Sequence, residues 1–260
     1  MSRLIAIVTL ANSPEVSAWA EVVASRVGLS TERILHNFPT LTEQSECVLV
    51  VGESGVELCT AEFLHGRGLR AEYTDLLSGR PGARLTARQP LAKALGRPVG
   101  TLLDATAGLG LDAARMAAAG WRTVACERDP VIFTLLEDGL RRALTDPRGV
   151  ELLGDRLMVV QRDARDVLAE EDVEAPDVVY IDPMFPPRRK SSALSRKAMR
   201  LIRDVVGTDI DAADLLATAR RHARRRVVVK RSDDGKPLAP DMVASHHGKQ
   251  VRFDVYLPTA

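Results

Sequence analysis

Short apolar runs and helix-like segments alternate along the chain from about residue 100 to the C-terminus. The apolar runs predict strands, which in chain order are "GTLLD", "RTVACERD", "LMVVQRDA", "PDVVYIDP" and "RRVVVKR". The segments between them, such as "LDAARMAAAG" and "PVIFTLLEDGLRRAL", space their apolar residues as an amphipathic helix does. A last segment, "QVRFDVYL", alternates as a half-buried strand does. This order predicts an α/β fold, a doubly wound and mostly parallel sheet with helices on both faces.

The first 80 residues carry a separate set of patterns. "RLIAIVTL" predicts a strand, "EVSAWAEVVASRVGL" a helix, and "CVLVVGESGVELC" two strands around a glycine-containing turn. The segment 77–100 is rich in Gly, Pro and Arg, which is typical of a connection between domains. We therefore predict a small N-terminal α/β domain over residues 1–80 and a larger domain over residues 81–260.

The composition is that of an ordinary soluble globular protein. Of the 260 residues, 45% are apolar and 27% are charged, and no apolar run approaches the length of about eighteen residues that spans a bilayer. Cys47, Cys59 and Cys126 lack CxxC spacing, which fits a reducing cytoplasm and argues against zinc or disulfides. The five histidines show no metal spacing, and His246 and His247 are expected in a surface loop. The sequence predicts a cytoplasmic protein with no membrane segment and no metal.

The net charge of +1 conceals an uneven distribution. Residues 188–231 contain 14 Lys and Arg against 4 Asp and Glu. Two runs within them, 188–203 and 220–231, each hold seven basic residues and no acidic one. A solvated basic helix and strand would explain these runs. The alternative, which we favour, is an electrostatic surface for a polyanion such as nucleic acid.

Three predicted strand ends carry candidate chemistry, since sheets of this kind bind ligands beyond the carboxyl ends of their strands. The first is "DATAGLG" (104–110), whose small residues let a ligand approach the backbone at a helix N-terminus. The second is Glu127, 19 residues after Gly108, where an acid can accept both hydroxyls of a ribose. The third, Asp163, can accept from an adenine amine, whereas Asp166 is interpreted as a helix N-cap or first-turn acid. A tight turn or an exposed charge would explain each alone, but together they predict a nucleotide-type cofactor.

The glycine pattern departs from that of dinucleotide-binding folds. Ala113 holds the last position of the GxGxxG pattern, and Asp104 precedes the turn. An acid at that place suits a cationic or amine-bearing ligand better than a pyrophosphate. A nicotinamide-dependent oxidoreductase is therefore disfavoured.

The motifs together resemble a known class of enzymes. "LLDATAGLGLDA", "CERDP", "RDA" and "DPMF", in this order, resemble the class I S-adenosylmethionine-dependent methyltransferases. The element "DPMF" resembles the Asp-Pro-Pro-Tyr type of motif in enzymes that methylate base amino groups. More closely, "DATAGLGLDA", "VVYIDPMFP", "RRVVVKR" and "RFDVYL" resemble the bacterial RsmJ family, over roughly residues 84 to 260. That family methylates N2 of one guanosine in small-subunit (16S) ribosomal RNA.

The resemblance implies a fold, a cofactor and a partner. The fold is a seven-stranded Rossmann-like methyltransferase sheet, the cofactor is S-adenosyl-L-methionine, and the partner is 16S ribosomal RNA or the small ribosomal subunit. The residues expected to bind the cofactor are Asp104, Thr106, Gly108, Gly110, Leu111, Asp112, Glu127, Arg128, Asp163, Ala164 and Asp182. The residues expected to bind RNA are Arg188, Arg189, Lys190, Arg196, Lys197, Lys230 and Arg231.

The resemblance also implies a role for the segment "YIDPMFPP" (180–187). The exocyclic amine of guanine is a poor nucleophile because its lone pair is delocalised into the ring. Two acceptors on its N–H groups, the Asp182 carboxylate and the Pro183 carbonyl with its fixed φ, can turn that lone pair toward a methyl group. Phe185 can stack on an extruded base. We therefore predict Asp182, Pro183 and Phe185 as the catalytic residues, while a strand end with a proline turn and a core Phe is the structural alternative.

Two other functions remain open. A DNA adenine or cytosine amino-methyltransferase would share the cofactor and the Asp-Pro chemistry, although its usual sequence-reading extra domain is not evident. A non-catalytic RNA-binding module on the same scaffold would not need both Glu127 and Asp182.

Overall fold

The computed structural model of the chain describes residues 3–11, 13–37, 39–40, 46–60, 68–172, 174–183 and 211–259. The chain forms two compact units. The described residues of the first unit lie within 1–71 and 129–142, and those of the second lie within 72–128, 143–183 and 211–259. The domain boundary predicted after residue 80 stays a prediction.

From about residue 100 onward, the helices and strands that the sequence predicts occur in the predicted order. The described helices are α1 (Pro14–Val27), α2 (Thr74–Leu77), α3 (Pro90–Leu95), α4 (Leu111–Ala118), α5 (Pro130–Ala143), α6 (Pro147–Leu153), α7 (Ala164–Leu168) and α8 (Ala212–His222). The described strands are β1 (Arg3–Thr9), β2 (Ile34–Leu35), β3 (Glu46–Gly52), β4 (Gly55–Thr60), β5 (Thr101–Asp104), β6 (Arg122–Cys126), β7 (Leu157–Val160), β8 (Val178–Ile181), β9 (Arg226–Ser232), β10 (Ala244–His247) and β11 (Val251–Tyr256). Among the described residues, no helix has both the length and the apolar character needed to cross a lipid bilayer.

The first unit contains a four-stranded sheet with the strand order β2-β1-β3-β4. β1 is parallel to β2 and to β3, and β3 and β4 form an antiparallel hairpin. Helix α1 packs against β1 and β3. The Ser13 hydroxyl caps the start of this helix by accepting from the Val16 N–H at 3.3 Å, and Gly28 ends it with φ 72°. These are local signals that the sequence carries, so the strand–helix start of this unit was predictable.

The second unit contains a seven-stranded sheet with the order β10-β11-β9-β8-β5-β6-β7. β5 to β9 are parallel, whereas β11 is antiparallel to both β9 and β10. The first strand of the unit, β5, therefore lies inside the sheet, with later strands added first on the β6 side and then on the β8 side. The strand order switches between β5 and β8. Sheets of this kind bind ligands beyond the carboxyl ends of the strands at such a switch. The predicted doubly wound, mostly parallel sheet is confirmed.

The central strands are buried on both faces, as parallel sheets require. Side chains alternate along β8, so that Val179 and Ile181 join one core cluster with residues of α7 and α8. Val178 and Tyr180 join a second cluster with residues of α3 and with Trp121. The sheet is thus held rigidly between two apolar layers, which fixes the positions of its strand ends.

Helix α3 lies in the segment 77–100, which the sequence predicts as a connection between domains. That prediction is wrong for residues 90–95, because Leu91, Ala94 and Leu95 are buried in the core of the second unit. The Pro and Gly residues that indicate a connection are the start and the end of this helix, at Pro90 and Gly96.

His246 and His247 lie in the edge strand β10 and not in a loop, which corrects the expectation from the sequence. They pair with Phe253 and Arg252 of β11. The segment "ASHH" has no apolar alternation, because a short strand at the sheet edge buries little surface.

The three cysteines are free and buried, and burial raises the pKa of each thiol to about 12. The thiolate, which is the reactive form, is therefore scarce at neutral pH. We expect the thiols of the folded protein to react with a coloured disulfide reagent roughly 100-fold more slowly than the same thiols in denaturant. Rapid labelling of even one thiol in the folded protein would contradict the burial of that residue.

Candidate active site

Four parallel strands of the second unit carry polar residues to one edge of the sheet. Asp104 is the last residue of β5, Glu127 follows β6, Asp182 follows β8, and Lys230 lies near the end of β9. The carboxyl ends of parallel strands meet at the same edge, so these side chains come close to one another. The predicted strand-end residues are therefore brought together at the switch in strand order.

The glycine turn after β5 is joined to the end of β6. The Gly108 N–H donates a hydrogen bond to Oε2 of Glu127 at 2.9 Å. Gly108 and Gly110 have φ of 55° and 77°, a left-handed conformation that favours glycine. No atom lies within 4 Å of the place where a side chain on Gly108 would begin. The space beside this turn is open, so a ligand can approach its backbone.

Asp104 is a buried acid among other acids. Its side chain accepts a hydrogen bond from the Thr106 N–H at 3.1 Å, and the residue is 1% exposed. Burial raises the pKa of Asp104 well above its usual value, and the neighbouring Asp112 and Asp182 raise it further. A positive charge placed beside this carboxyl group would favour its ionised form. That Asp104 faces a cationic ligand stays a prediction.

The glycine turn is also joined to the segment that contains Asp182. The Asp182 N–H donates to the Thr106 hydroxyl oxygen at 2.7 Å, and the Ala105 N–H donates to the Tyr180 carbonyl at 2.9 Å. Pro183 is buried. The backbone on both sides of the switch point is therefore fixed by direct hydrogen bonds.

Lys230 bridges two carboxylates. Its Nζ lies 2.8 Å from Oδ2 of Asp112 and 2.8 Å from Oδ2 of Asp182. The Tyr180 hydroxyl donates to the same Asp112 oxygen at 2.8 Å. Burial lowers the pKa of Lys230, but the two carboxylates outweigh this effect and raise the pKa above its usual value. Burial raises the pKa of Asp112, but Lys230, Tyr180 and Arg115 together lower it below its usual value.

A second group of charges surrounds Asp163 at the end of β7. Asp163 is the N-cap of α7, and its carboxylate accepts from the Arg165 backbone at 2.9 Å and from the Arg165 guanidinium at 2.6 Å. These hydrogen bonds lower the pKa of Asp163 to about 2. Arg128 lies 3.5 Å from Asp163 and 2.6 Å from Asp211. Asp166 lies in the first turn of α7, which is one of the two places expected for it.

Three further residues expected to bind the cofactor lie at the starts of helices. Leu111 and Asp112 are in the first turn of α4, and Ala164 is the first residue of α7. Leu111 is half exposed and Ala164 is buried. Both helices begin at the edge where the strand ends meet.

The residues predicted to contact RNA fall into two groups. Lys230 holds the two carboxylates described above, and Arg231 is buried, with its guanidinium donating to the Lys236 carbonyl. Both side chains have partners within the protein, and their contact with RNA stays a prediction. The remaining predicted residues, Phe185 of the catalytic set and Arg188, Arg189, Lys190, Arg196 and Lys197 of the RNA-binding set, lie outside the described residues.

The basic run 220–231 does not form one surface. Arg226 begins β9 and Lys230 lies near its end, about 13 Å further along the strand. Arg220 pairs with Asp241 at 2.7 Å, and Arg224 pairs with Glu174 at 2.6 Å. Much of the charge in this run is therefore balanced within the protein.

Sequence reasoning did not select Tyr180, Arg165 or Asp211. Tyr180 had a signal, because it lies two residues before Asp182 on the same strand. The pairing of Lys230 with Asp182 also had one, since Ile181 of β8 is in register with Val229 of β9 and the next residues are Asp182 and Lys230. Asp211 reaches Arg128 only through the tertiary fold, and no local pattern predicts that contact.

The edge thus combines groups with distinct chemical abilities. Glu127 offers a carboxylate beside an open glycine turn, and Asp104 offers a buried acid that a cation would ionise. Asp182, with a side chain that is 37% exposed, offers an acceptor at the surface of the site. Among the described residues, no group of three or more His, Cys, Asp or Glu side chains is arranged to hold a metal ion. Such an arrangement can hold a positively charged nucleoside and present an acceptor to a second molecule.

Comparisons with known proteins agree with this geometry. A family model described as "Putative SAM-dependent methyltransferase" matches residues 33–258. The chain is 36% identical over 250 residues to the ribosomal RNA small subunit methyltransferase J of Desulfotalea psychrophila, which covers 91% of this chain and 94% of that protein. It is 37% identical to the protein of the same name from Photobacterium profundum, over 96% of this chain and 97% of that protein. A crystal structure of a SAM-dependent methyltransferase from Neisseria gonorrhoeae matches with a TM-score of 0.73 and 28% identity, covering 97% of this chain and 95% of that one.

Proposed function

The chain belongs to the SAM-dependent methyltransferase family, together with the relatives named ribosomal RNA small subunit methyltransferase J, and we propose that it methylates N2 of one guanosine in 16S ribosomal RNA. The methyl donor is S-adenosyl-L-methionine. The observation that carries this proposal is the place of the Asp182 carboxylate. Asp182 lies at the switch in strand order, and its backbone N–H donates a hydrogen bond to the Thr106 hydroxyl of the glycine turn.

The residues at the edge fit the methyl donor. The Glu127 carboxylate can accept the ribose hydroxyls, the open glycine turn admits the ligand to the backbone, and Asp104 suits a positive charge. Asp163 can receive the adenine amine, although it shares its carboxylate with Arg165. When bound, S-adenosyl-L-methionine supplies an activated methyl group on a positively charged sulfur. Because the donor is already activated, the work left to the protein is mainly alignment, which can supply up to about 7–11 kcal/mol.

Asp182 and Pro183 are the proposed acceptors for the guanine amine. The Asp182 carboxylate and the Pro183 carbonyl would each accept one N–H of the amine, which directs its lone pair toward the methyl group. The Asp182 backbone is fixed by Thr106, and Pro183 is buried with a restricted φ. Phe185 is proposed to stack on the extruded base. Fixed acceptors of this kind stabilise the transition state without reorganising at the moment of reaction.

The proposed substrate is small-subunit RNA in the cytoplasm, as naked 16S RNA or within the subunit. The names of the relatives support an RNA substrate, and the basic run 188–203 supports binding of a polyanion. The free, buried cysteines are compatible with a reducing compartment.

Methyl transfer to isolated nucleic acids tests the function. Small-subunit RNA and intact small subunits from cells that lack the enzyme, and DNA from the same cells, would each be incubated with the protein and radiolabelled S-adenosyl-L-methionine. We expect label in the RNA or the subunit, recovered as N2-methylguanosine after digestion. Label in adenine or cytosine of DNA would establish the amino-methyltransferase alternative. Tight RNA binding with no transfer to any substrate would indicate a binding module.

Charge reversal in the first basic run tests its role in RNA binding. Changing three of its residues to Glu should weaken RNA binding by at least tenfold and lower the slope of log affinity against log salt by roughly 2, since each phosphate contact contributes about 0.7 for single strands. The three residues are Arg188, Arg189 and Lys190. Cofactor affinity should stay unchanged.

A matched control uses three exposed arginines elsewhere in the second unit, Arg122, Arg148 and Arg156, also changed to Glu. This variant has the same net charge as the first. If residues 188–190 contact the RNA directly, the control should lower the salt slope less than the first variant does. Equal slopes for the two variants would show that only the total charge matters.

A further inference from the structure

We infer that Lys230 is a positioning residue for methyl transfer, and that its ammonium group holds the Asp182 carboxylate in place with Asp112 as a second anchor. This inference rests on the proposed function, because it assigns a role within the same site. It replaces the phosphate contact that the sequence predicts for Lys230.

A continuous chain of hydrogen bonds leads from Tyr180 to Asp182. Tyr180 donates to Asp112, Lys230 donates to Asp112 and to Asp182, and each of these three distances is 2.8 Å. The side chains of Asp112, Lys230 and Asp182 are 18%, 26% and 37% exposed. Exposure therefore increases along the chain of contacts toward Asp182. The three more buried members form a support, and Asp182 is the member that a substrate can reach.

The ion pair with Lys230 limits the rotation of the Asp182 side chain. Its backbone is fixed by the hydrogen bond to Thr106, but a carboxylate at a partly exposed strand end can still rotate about its side-chain bonds. The ion pair with Lys230 restricts that rotation. Lys230 is itself restricted, because it has a second partner in Asp112 on α4 and extends from β9, in the buried sheet. An acceptor held in this way needs less reorganisation when the amine arrives.

Lys230 places a positive charge within a cluster of carboxyl groups. In the part of the chain that the structure describes, the titratable and charged groups around Lys230 are Asp104 at the end of β5, Asp112 and Arg115 on α4, Tyr180 on β8 and Asp182 after it. Asp104, Asp112 and Asp182 are mutually repulsive carboxyl groups, and such clusters tend to take up protons. Arg115 pairs with Asp112 at 3.4 Å, whereas Lys230 contacts both Asp112 and Asp182. Lys230 therefore favours the ionised form of Asp182, whose two oxygens act only as acceptors.

Loss of Lys230 should change the pH dependence of methyl transfer in a defined direction. A nearby positive charge lowers the pKa of a carboxyl group, so loss of Lys230 should raise the pKa of Asp182. Activity that needs the ionised form is then lost at a higher pH. The acid limb of the rate profile should move upward in the variant.

The main test is Lys230→Met, which removes the charge and keeps most of the side-chain volume. In single-turnover methyl transfer at saturating small-subunit RNA and cofactor, we expect the rate to fall about tenfold and the acid limb to move up by about one pH unit. RNA affinity and its salt dependence should stay as in the wild type. The matched control is Lys93→Met, which removes an exposed lysine of α3 in the same unit and should change none of these quantities.

A phosphate contact would give the opposite pattern. Lys230→Met would then weaken RNA binding and lower its salt slope by about 0.7, with the acid limb unmoved at saturating RNA. That result, or a rate and pH profile equal to those of the wild type, would overturn the inference. Absence of methyl transfer by the wild-type protein would instead overturn the proposed function.

Two further variants, Asp112→Asn and Lys230→Arg, keep the test open if Lys230→Met folds poorly, and a double-mutant cycle is added if it folds well. Asp112→Asn retains the Lys230–Asp182 pair but removes the second anchor, so its rate should fall less than that of Lys230→Met. If Asp112 acts through Lys230, the double variant should be no slower than Lys230→Met alone. Lys230→Arg, which restores the charge, should recover the acid limb. A wild-type rate for Asp112→Asn, or no recovery of the acid limb in Lys230→Arg, would also overturn the inference.

Discussion

Asp182→Ala is expected to lower the single-turnover rate of methyl transfer by about 100- to 1,000-fold while cofactor affinity changes by only a few-fold. Loss of one oriented acceptor that acts in the transition state costs about 3–4 kcal/mol. The cofactor should be little affected, because the groups proposed to hold it, Glu127 and the glycine turn, make contacts that do not involve the Asp182 side chain. Rate and affinity are therefore expected to separate in this variant.

The contacts of Asp182 determine which replacement residue disturbs the site least. Removal of the carboxylate leaves Lys230 with Asp112 as its remaining carboxylate contact at 2.8 Å, so the site keeps one ion pair. Asp182→Asn is the closer replacement, because it preserves shape and one acceptor but removes the charge. We expect Asp182→Asn to be slow as well, since one end of its amide is a donor and would oppose the amine N–H.

A matched control separates the role of Asp182 from a general effect of losing an acid. Asp241→Ala removes an exposed carboxylate that pairs with Arg220 in the same unit. Its rate should stay within twofold of the wild type, in line with the small effect of exposed ion pairs. Rapid-quench measurement of methylated RNA would show these differences directly. Near wild-type transfer by Asp182→Ala would mean that the amino-methyltransferase mechanism is wrong.

The sheet was predictable because its strands are buried and its helices are amphipathic. Strands such as β8 and β9 read as continuous apolar runs, and the order of strands and helices then leaves few topologies open. Two other elements were not predictable in the same way. β10 consists of "ASHH" at a sheet edge, and α3 is enclosed by the Pro and Gly residues that elsewhere indicate loops.

Several residues that meet at the sheet edge were predictable from local motifs, but their contacts with distant residues were not. The pair Gly108 and Glu127 was found because both belong to a spaced motif, and the structure joins them directly. Lys230 was identified as a basic residue, but its partners Asp112 and Asp182 lie 118 and 48 positions away along the chain. A run of positive charge predicts a basic surface only if the side chains share a face. Alternation along β9 and burial at its end distribute these side chains in different directions.

Glu127→Ala is expected to weaken S-adenosyl-L-methionine binding by about 1.5–3 kcal/mol, which corresponds to roughly 10- to 150-fold in affinity. Hydrogen bonds to a charged group contribute this amount, and the residue is largely buried at the end of β6. Calorimetric titration of the folded variant gives the affinity. The control is Glu151→Ala, which removes an exposed acid of α6 and should leave the affinity unchanged.

The hydrogen bond from Gly108 gives Glu127 two tasks, which a second variant can separate. Glu127 fixes the glycine turn through the Gly108 N–H, and it is proposed to accept the ribose hydroxyls. Glu127→Gln keeps an oxygen that can accept from Gly108, but its amide nitrogen cannot accept from a hydroxyl. If the ribose contact dominates, Glu127→Gln should lose most of the affinity that Glu127→Ala loses. If Glu127→Gln binds like the wild type and only Glu127→Ala is weak, the acid acts through the turn. Wild-type affinity in both variants would show that Glu127 has no part in binding the cofactor.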